Sequence, residues 1–311
     1  MRIAVCFSGQ WRTGNYCYEN LKQFLGILYP YCDFFIHTWD ISKQKCYNLS
    51  NVFSKETKLS DNEIEKINKN YKPKKIIIQD YKSTYDALVK HEEHSEFKIF
   101  NIIQPLWYSF MKSIELKKEY ELKNSFEYDY VLKLRPDVIF NPHRRLSQDI
   151  ELYKDEIANG EFYIENLMRE WTIDNTVVDD VYFLSNSKVM NAAAKYYSEW
   201  VEWGILNGVK PFYGFIRHSI LNNFKLCKFK VRDLGGEPGY AIYRPECIKH
   251  PNINVVGYYK CRECEDYYYG SPQNYQSEYY INFLKNKYYI VDNVQCYVDE
   301  LEPIDDRIKI I

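Results

Sequence analysis

No stretch of this 311-residue chain approaches the roughly 18 uninterrupted apolar residues of a membrane-spanning helix. At most peripheral contact with a membrane is therefore expected. Charge of one sign is also lacking: 41 basic residues stand against 43 acidic ones, for a formal net charge of −2. That balance gives no general attraction to nucleic acid or to an anionic lipid surface, so any polyanion has to be met locally. The opening MRIAVCFSGQ holds one basic residue and too short an apolar stretch for a cleavable leader, and a cytoplasmic location is expected. Cysteine is sparse as well. Nine cysteines, an odd number scattered along the chain, do not form the dense disulfide framework of a small secreted domain, and reduced core thiols are expected. No internal repeat and no linker composition interrupts the sequence.

Two nucleotide signatures are missing. Gly9 and Gly14 have the glycine spacing of a P-loop, but Asn15 and Tyr16 stand where that motif needs Lys and Ser or Thr. This argues against a nucleoside triphosphatase. No G-x-G-x-x-G follows a strand candidate, which argues against a dehydrogenase or flavoprotein.

What is present is an alternation of strand and helix patterns. RIAVCF (2–7) reads as a short apolar strand and SGQWRTGN as a loop; Cys17, Leu21, Phe24, Leu25 and Leu28 then recur at helical spacing. CDFFIHTWD, KKIIIQD and YDYVLKLRPDVIF follow as strands, with Pro105 as a first-turn residue of a helix carrying Leu106, Phe110 and Ile114. Residues 41–59 are polar without a period and are expected to be a mobile excursion, ending where Ser60 and Glu63 have capping-box spacing. A polar helix near 147–157, a strand EFYIE, the segment TVVDDVYFLSN and a helical stripe of Val189, Met190, Ala193, Ala194, Tyr197 and Val201 come next. Short strands between Gly and Pro turns fill the C-terminal third. Such alternation predicts an α/β fold, a mainly parallel sheet flanked by helices, with a C-terminal elaboration. Ligands of these sheets lie beyond the carboxyl ends of the strands, the edge where SGQ, HTWD and RPD fall.

Several residues there can do chemistry. Gly9 permits close backbone approach, and Arg12 either grips a phosphate or is a surface arginine on a turn. Asp137, held past a strand end by Pro136, can coordinate a divalent cation on a diphosphate while Arg135 neutralises the same charge; alternatively Arg135 and Asp137 pair and close the turn. Of Asp179 and Asp180, one can act as a general base whose proton affinity is raised by its neighbour, or both can cap local structure. Farther on, Cys247 with His250 and Cys261 with Cys264 supply four ligands for a structural zinc, set against coincidence among tyrosines. His91 and His94 read as a solvated helix end. His218 is either a satisfied, partly buried residue or a late metal ligand, and His143, Arg144 and Arg145 face solvent or steer an anion.

AVCFSGQWRT, DFFIHTWD, YDYVLKLRPDVIF and VDDVYFLSNSKVM, in this order and spacing, resemble a group of glycosyltransferases from bacterial capsule or lipopolysaccharide loci and from large DNA viruses. The resemblance spans residues 1–225. It implies a GT-A-like (Rossmann-like) fold, with 1–225 as a nucleotide-sugar-binding catalytic core; 226–311 carries none of its motifs and, with no linker composition between, is expected to pack on the core within one continuous domain. By the same resemblance Ser8, Gly9 and Arg12 lie at the donor's nucleotide or diphosphate, His37 and Asp40 lie near the nucleoside, and Arg135 and Asp137 match a metal-binding Asp-x-Asp motif. Mn²⁺ or Mg²⁺ would sit on Asp137, although Arg135 replaces that motif's first aspartate and can supply part of the cation's charge. Asp180, with Asp179 as alternative, becomes the base for an acceptor hydroxyl; an enzyme that retains configuration needs none. The implied reaction moves a sugar from a nucleoside-diphosphate donor to a surface-glycan acceptor, either glycan or glycolipid. Another nucleotide-dependent transferase, or a non-catalytic glycan-binding or zinc-stapled interaction protein, are the rival classes.

Overall fold

The computed structural model describes residues 1–45, 54–84, 100–140, 144–164, 181–201, 215 and 218–229, with short strands at 167–169, 176–178, 240–242, 244–245, 251–252, 257–261, 267–270 and 301–303. In chain order the elements are β1 (Ile3–Gly9), α1 (Gly14–Leu25), a 3-10 turn (Gly26–Tyr31) and β2 (Cys32–Trp39). A hairpin of β3 (Ile41–Lys45) and β4 (Ser54–Lys58) follows, then α2 (Asp61–Tyr71), β5 (Lys75–Gln79) and α3 (Phe100–Asn124). Next come β6 (Tyr130–Leu134), β7 (Val138–Phe140), α4 (Leu146–Ala158) and β8 (Glu161–Ile164). The paired β9 (Leu167–Arg169) and β10 (Thr176–Val178) precede β11 (Tyr182–Ser185), α5 (Ser187–Ala194), β12 (Lys225–Lys228) and β13 (Tyr240–Ile242).

Seven strands form one sheet in the order β12-β8-β11-β6-β1-β2-β5. β1 pairs in parallel with β2 and β6, β2 with β5, and β8 with β12; β11 alone runs antiparallel, between β6 and β8. The α/β, mainly parallel arrangement expected from the alternation is thus what forms. A central parallel strand is buried on both faces and therefore reads as a continuous apolar run. Ile3, Val5 and Phe7 enter one core with the α1 residues Leu21, Phe24 and Leu25, whereas Ala4 and Cys6 enter the other with Trp107, Phe110 and Ile114 of α3. Cys6, Cys17, Cys32 and Cys227 are reduced thiols, the first two buried. Among the described residues no helix is long and apolar enough to cross a membrane.

Two expectations need correction, at Pro105 and at Arg144, and two segments gain detail. Residues 41–59 contain the β3–β4 hairpin, Ile41 opposite Lys58. Pro105 lies inside α3, which starts at Phe100. The apolar run 128–140 is interrupted at Arg135-Pro136-Asp137, as expected, and continues as a second strand. Pro136 has no N–H for a ladder, so β6 stops at Leu134, and β7 leaves the main sheet to pair with β13, Phe140 opposite Tyr240. Finally, Arg144 does not face solvent. It is 6 % exposed, pairs with Asp149 at 3.0 Å and covers the Tyr182 ring at 4.9 Å, pinning α4 to the sheet.

Candidate functional site

From β1 the chain steps outward through β2 to β5 and later returns to place β6 on the other side of β1. Where strand order reverses in this way, the crevice beyond the carboxyl ends is the default ligand site. β1 exits there through Gly9, whose φ of 113° suits glycine and whose N–H donates to Ser109 Oγ at 2.7 Å. Two residues on, Trp11 turns inward to 1 % exposure, edge-on to Phe7 and Tyr71 with ring centroids 5.7 and 5.1 Å away. A Cβ at Gly14 would meet that indole at 2.6 Å, so the start of α1 needs glycine. Between the anchored Trp11 and the helix, Arg12 adopts φ 29°, a left-handed conformation that costs a non-glycine residue on the order of 1 kcal/mol.

That cost is offset across the crevice. Past the end of β6, the Arg135 N–H donates to Val181 O at 3.2 Å, and Pro136 and Asp137 turn the chain. Arg135 grips Asp137 with two parallel hydrogen bonds, Nε to Oδ1 and Nη2 to Oδ2, each 2.9 Å. Arg12 Nη1 reaches the same Oδ2 at 3.2 Å, while its Nε donates to Gln10 Oε1 at 3.2 Å. The ion-pair reading of RPD is therefore realised, with Arg12 as an additional member. Asp137 is 1 % exposed, whereas the two arginine side chains retain 18 % and 14 %. The carboxylate is thus buried more deeply than either side chain that pairs with it.

This donor set does not fit the Mn²⁺ or Mg²⁺ expected on Asp137. A hard divalent cation needs several accessible oxygens. Here both carboxylate oxygens accept from cationic donors, and among the described residues no group of three or more His, Cys, Asp or Glu can hold a metal ion.

Ser8 closes the floor of the same edge. It is 2 % exposed and its Oγ has no hydrogen-bond partner, a costly state for a buried hydroxyl and one that a bound ligand would relieve. One strand over, His37 is fully buried, with Nδ1 bonded to Ser109 Oγ and Nε2 to Gln79 Oε1, both at 2.8 Å. Burial pushes its pKa down to about 4, so the ring is neutral at ordinary pH. It acts as a strut joining β2, β5 and α3. Asp40 accepts the Tyr81 N–H through Oδ1 at 2.8 Å, and its own N–H donates to Gln79 O.

The structure thus gathers Ser8, Gly9, Arg12, Arg135 and Asp137 at the β1/β6 reversal, and places His37 and Asp40 at the end of β2. Asp179 and Asp180 lie outside the described residues; the next residue, Val181, is the one bonded to Arg135. Cys247, His250 and Cys264 also lie outside them, as do His91, His94 and His143, and Cys261 ends a strand described only by its backbone, Gly257–Cys261. His218 is the satisfied residue: Nδ1 meets Glu199 Oε2 at 2.5 Å and Nε2 meets Ala192 O at 2.9 Å. Ser109 and Gln79, which hold the Gly9 turn and His37, carry no sequence signal, being ordinary polar residues on a helix and at a strand end.

No protein-family model matches the chain, and no curated protein matches it. Among solved structures, galactosyltransferase LgtC in complex with donor and acceptor sugar analogs is similar at 16 % identity over 73 % of both chains, with a TM-score of 0.41. The apo form of mouse xyloside xylosyltransferase 1 is similar at 8 % identity over 73 % of this chain and 84 % of that one, TM-score 0.36. A nucleoside-diphosphate-sugar pyrophosphorylase from Vibrio cholerae RC9 is similar at 10 % identity over 73 % and 92 %, TM-score 0.34.

Proposed function

We propose that this chain is a GT-A-like glycosyltransferase that moves a sugar from a nucleoside-diphosphate donor to a hydroxyl of a surface-glycan acceptor, free or lipid-linked, in the cytoplasm. The observation that carries the reading is the Arg12–Asp137–Arg135 cluster at the strand-order reversal between β1 and β6. Glycosyl transfer releases a diphosphate whose negative charge grows as the sugar–oxygen bond breaks. Fixed cationic donors aimed at that charge lower the barrier without reorganising. Arg12 and Arg135 are such donors, oriented in advance by a shared carboxylate. Gly9 lets the backbone approach the donor, and the unpartnered Ser8 hydroxyl is available to it. Asp180, with Asp179 as alternative, takes the acceptor proton in an inverting reaction. The order of the four sequence segments supports the same assignment.

A panel of nucleotide sugars, read by release of nucleoside diphosphate in the presence of simple glycan acceptors, tests the proposal. Turnover of one donor, reduced at least about tenfold in Arg12→Gln, is the expected result. A folded protein that releases nucleoside diphosphate from no member of the panel refutes it.

A further inference from the structure

We infer that Gln79, His37 and Ser109 act as one directed chain of hydrogen bonds that positions the Gly9 turn for the donor, with His37 held as its Nε2–H tautomer. The inference rests on the nucleotide-sugar reading above and deepens it, by naming residues that act on the site without touching a ligand. Direction is set at the far end. Gln79, at the end of β5, aims its amide nitrogen at Thr84 Oγ1 and the Tyr108 hydroxyl, 2.9 and 3.0 Å away, which leaves its Oε1 to accept from His37 Nε2 at 2.8 Å. The neutral ring carries one proton, so Nδ1 is bare and accepts the Ser109 O–H at 2.8 Å. A lone pair of Ser109 Oγ then receives the Gly9 N–H, 2.7 Å away. The carbonyl of His37, 3.3 Å from Ser109 Oγ, is the weaker alternative for the hydroxyl proton.

Packing holds the ring in place. His37 and Ser109 are fully buried, and the imidazole lies edge-on to both Trp39 and Tyr108, with ring centroids 5.2 and 5.8 Å away. A buried polar chain of this kind adds little stability over an apolar filling of the same shape. What it adds is direction. Gly9 pairs with Thr38 at the carboxyl ends of β1 and β2, at a φ of 113° and with no side chain of its own to anchor the turn. With its N–H turned to Ser109, Gly9 offers a ligand room rather than a donor: a Cβ there would meet no atom of the described residues within 4 Å. Ser109 and His37 are then positioning residues, and Gln79 fixes which way the chain runs.

Two measurements on the full chain test this. Heteronuclear NMR of ring-labelled histidine at neutral pH, with the His37 signal identified by its loss in His37→Asn, should show Nε2 protonated and Nδ1 bare. A ring protonated at Nδ1 overturns the inference. The second measurement compares His37→Asn, whose amide oxygen can take over from Nδ1, with His37→Leu, which offers Ser109 no acceptor. Both strand Gln79 and should lose similar stability, so a difference between them reports the Ser109 link alone. Relative to wild type, Gly9 amide exchange should quicken and donor KM should rise by about tenfold or more in His37→Leu, against about threefold or less in His37→Asn, with kcat within about threefold in both. Equal changes in the two variants reduce His37 to packing and overturn the inference. Should His37→Leu fail to fold, the imidazole spectrum and the same comparison between Ser109→Ala and Ser109→Thr decide. The two readings fail separately. Without turnover of any donor the transferase falls, while the ring tautomer and the Gly9 exchange still uphold or refute the chain.

Discussion

Arg12 and Asp137 lie 125 positions apart in the chain, yet Nη1 and Oδ2 are 3.2 Å apart, tying the exit of β1 to the exit of β6. With Arg135 they make an ionic cluster whose members depend on one another. Truncating one partner of a buried pair leaves uncompensated charge, which typically costs about 3–5 kcal/mol. Asp137→Ala should therefore lower the free energy of unfolding by roughly that amount, discounted for the partial exposure of both arginines. Urea titration measures it; a midpoint equal to wild type would show that the cluster contributes nothing to the fold.

Turnover separates from stability in the isosteric variant. Asp137→Asn keeps the shape and one accepting oxygen but loosens the grip on both guanidiniums, so nucleoside diphosphate release should fall at least about tenfold while the fold persists. Circular dichroism beside a donor assay makes the comparison, and full activity in this variant counts against the assigned site.

His37 predicts an acid-side slope. Its folded pKa of about 4 lies below the ordinary 6.5, so the unfolded chain takes up a proton between those values and the folded chain does not. The neutral ring's contribution is complete above pH 6.5 and shrinks as pH falls toward 4, by up to roughly 3 kcal/mol. Urea midpoints at pH 7 and pH 4.5 should differ less in His37→Gln than in wild type. Equal slopes would mean that another group governs this range.

Gly14→Ala pits two effects against each other. Alanine in a helix is worth about 1 kcal/mol over glycine, but the new methyl would lie 2.6 Å from the ring of Trp11, which is buried and boxed in by Phe7 and Tyr71. Overpacking costs about 1–3 kcal/mol and should win. Thermal unfolding together with tryptophan fluorescence will register it, since the indole has to shift; a stabilised variant with an unchanged spectrum would contradict the packing.

Ser109→Ala removes the acceptor for the Gly9 N–H and the partner of His37 Nδ1. Leaving buried groups unsatisfied costs about 1–3 kcal/mol. If Gly9 borders the donor as proposed, KM for the donor should rise more than kcat falls, and Ser109→Thr should restore part of it. An unchanged KM would confine Ser109 to a structural role.

The sequence made some of this legible because the physics involved is local. The apolar runs of β1 and β6, the helical stripe of α1 and the Ser60–Glu63 capping box all formed, the last with both reciprocal hydrogen bonds present. Arg135, Pro136 and Asp137 marked a strand end since a proline and two charges do not continue a buried ladder. That Arg12 joins the Arg135–Asp137 pair was not legible: nothing near Arg12 points to a carboxylate so far along the chain. The β3 and β4 segments, ISKQK and SKETK, lack the apolar alternation that signals a strand. Strand direction left no trace either: nothing in VYFLSN marks it as the one that runs antiparallel.

The reversed course of β11 has its own consequence. Every parallel strand leaves through the crevice edge, whereas chain enters β11 there, through Val181. The edge where Gly9 and Arg135 lie is thus reached by outgoing strands and, at Val181, by one incoming strand. Residues can be gained or lost ahead of Val181 without shifting the register of β1 against β6, so one side of this edge can be remodelled while the Arg12–Asp137–Arg135 cluster stays in place.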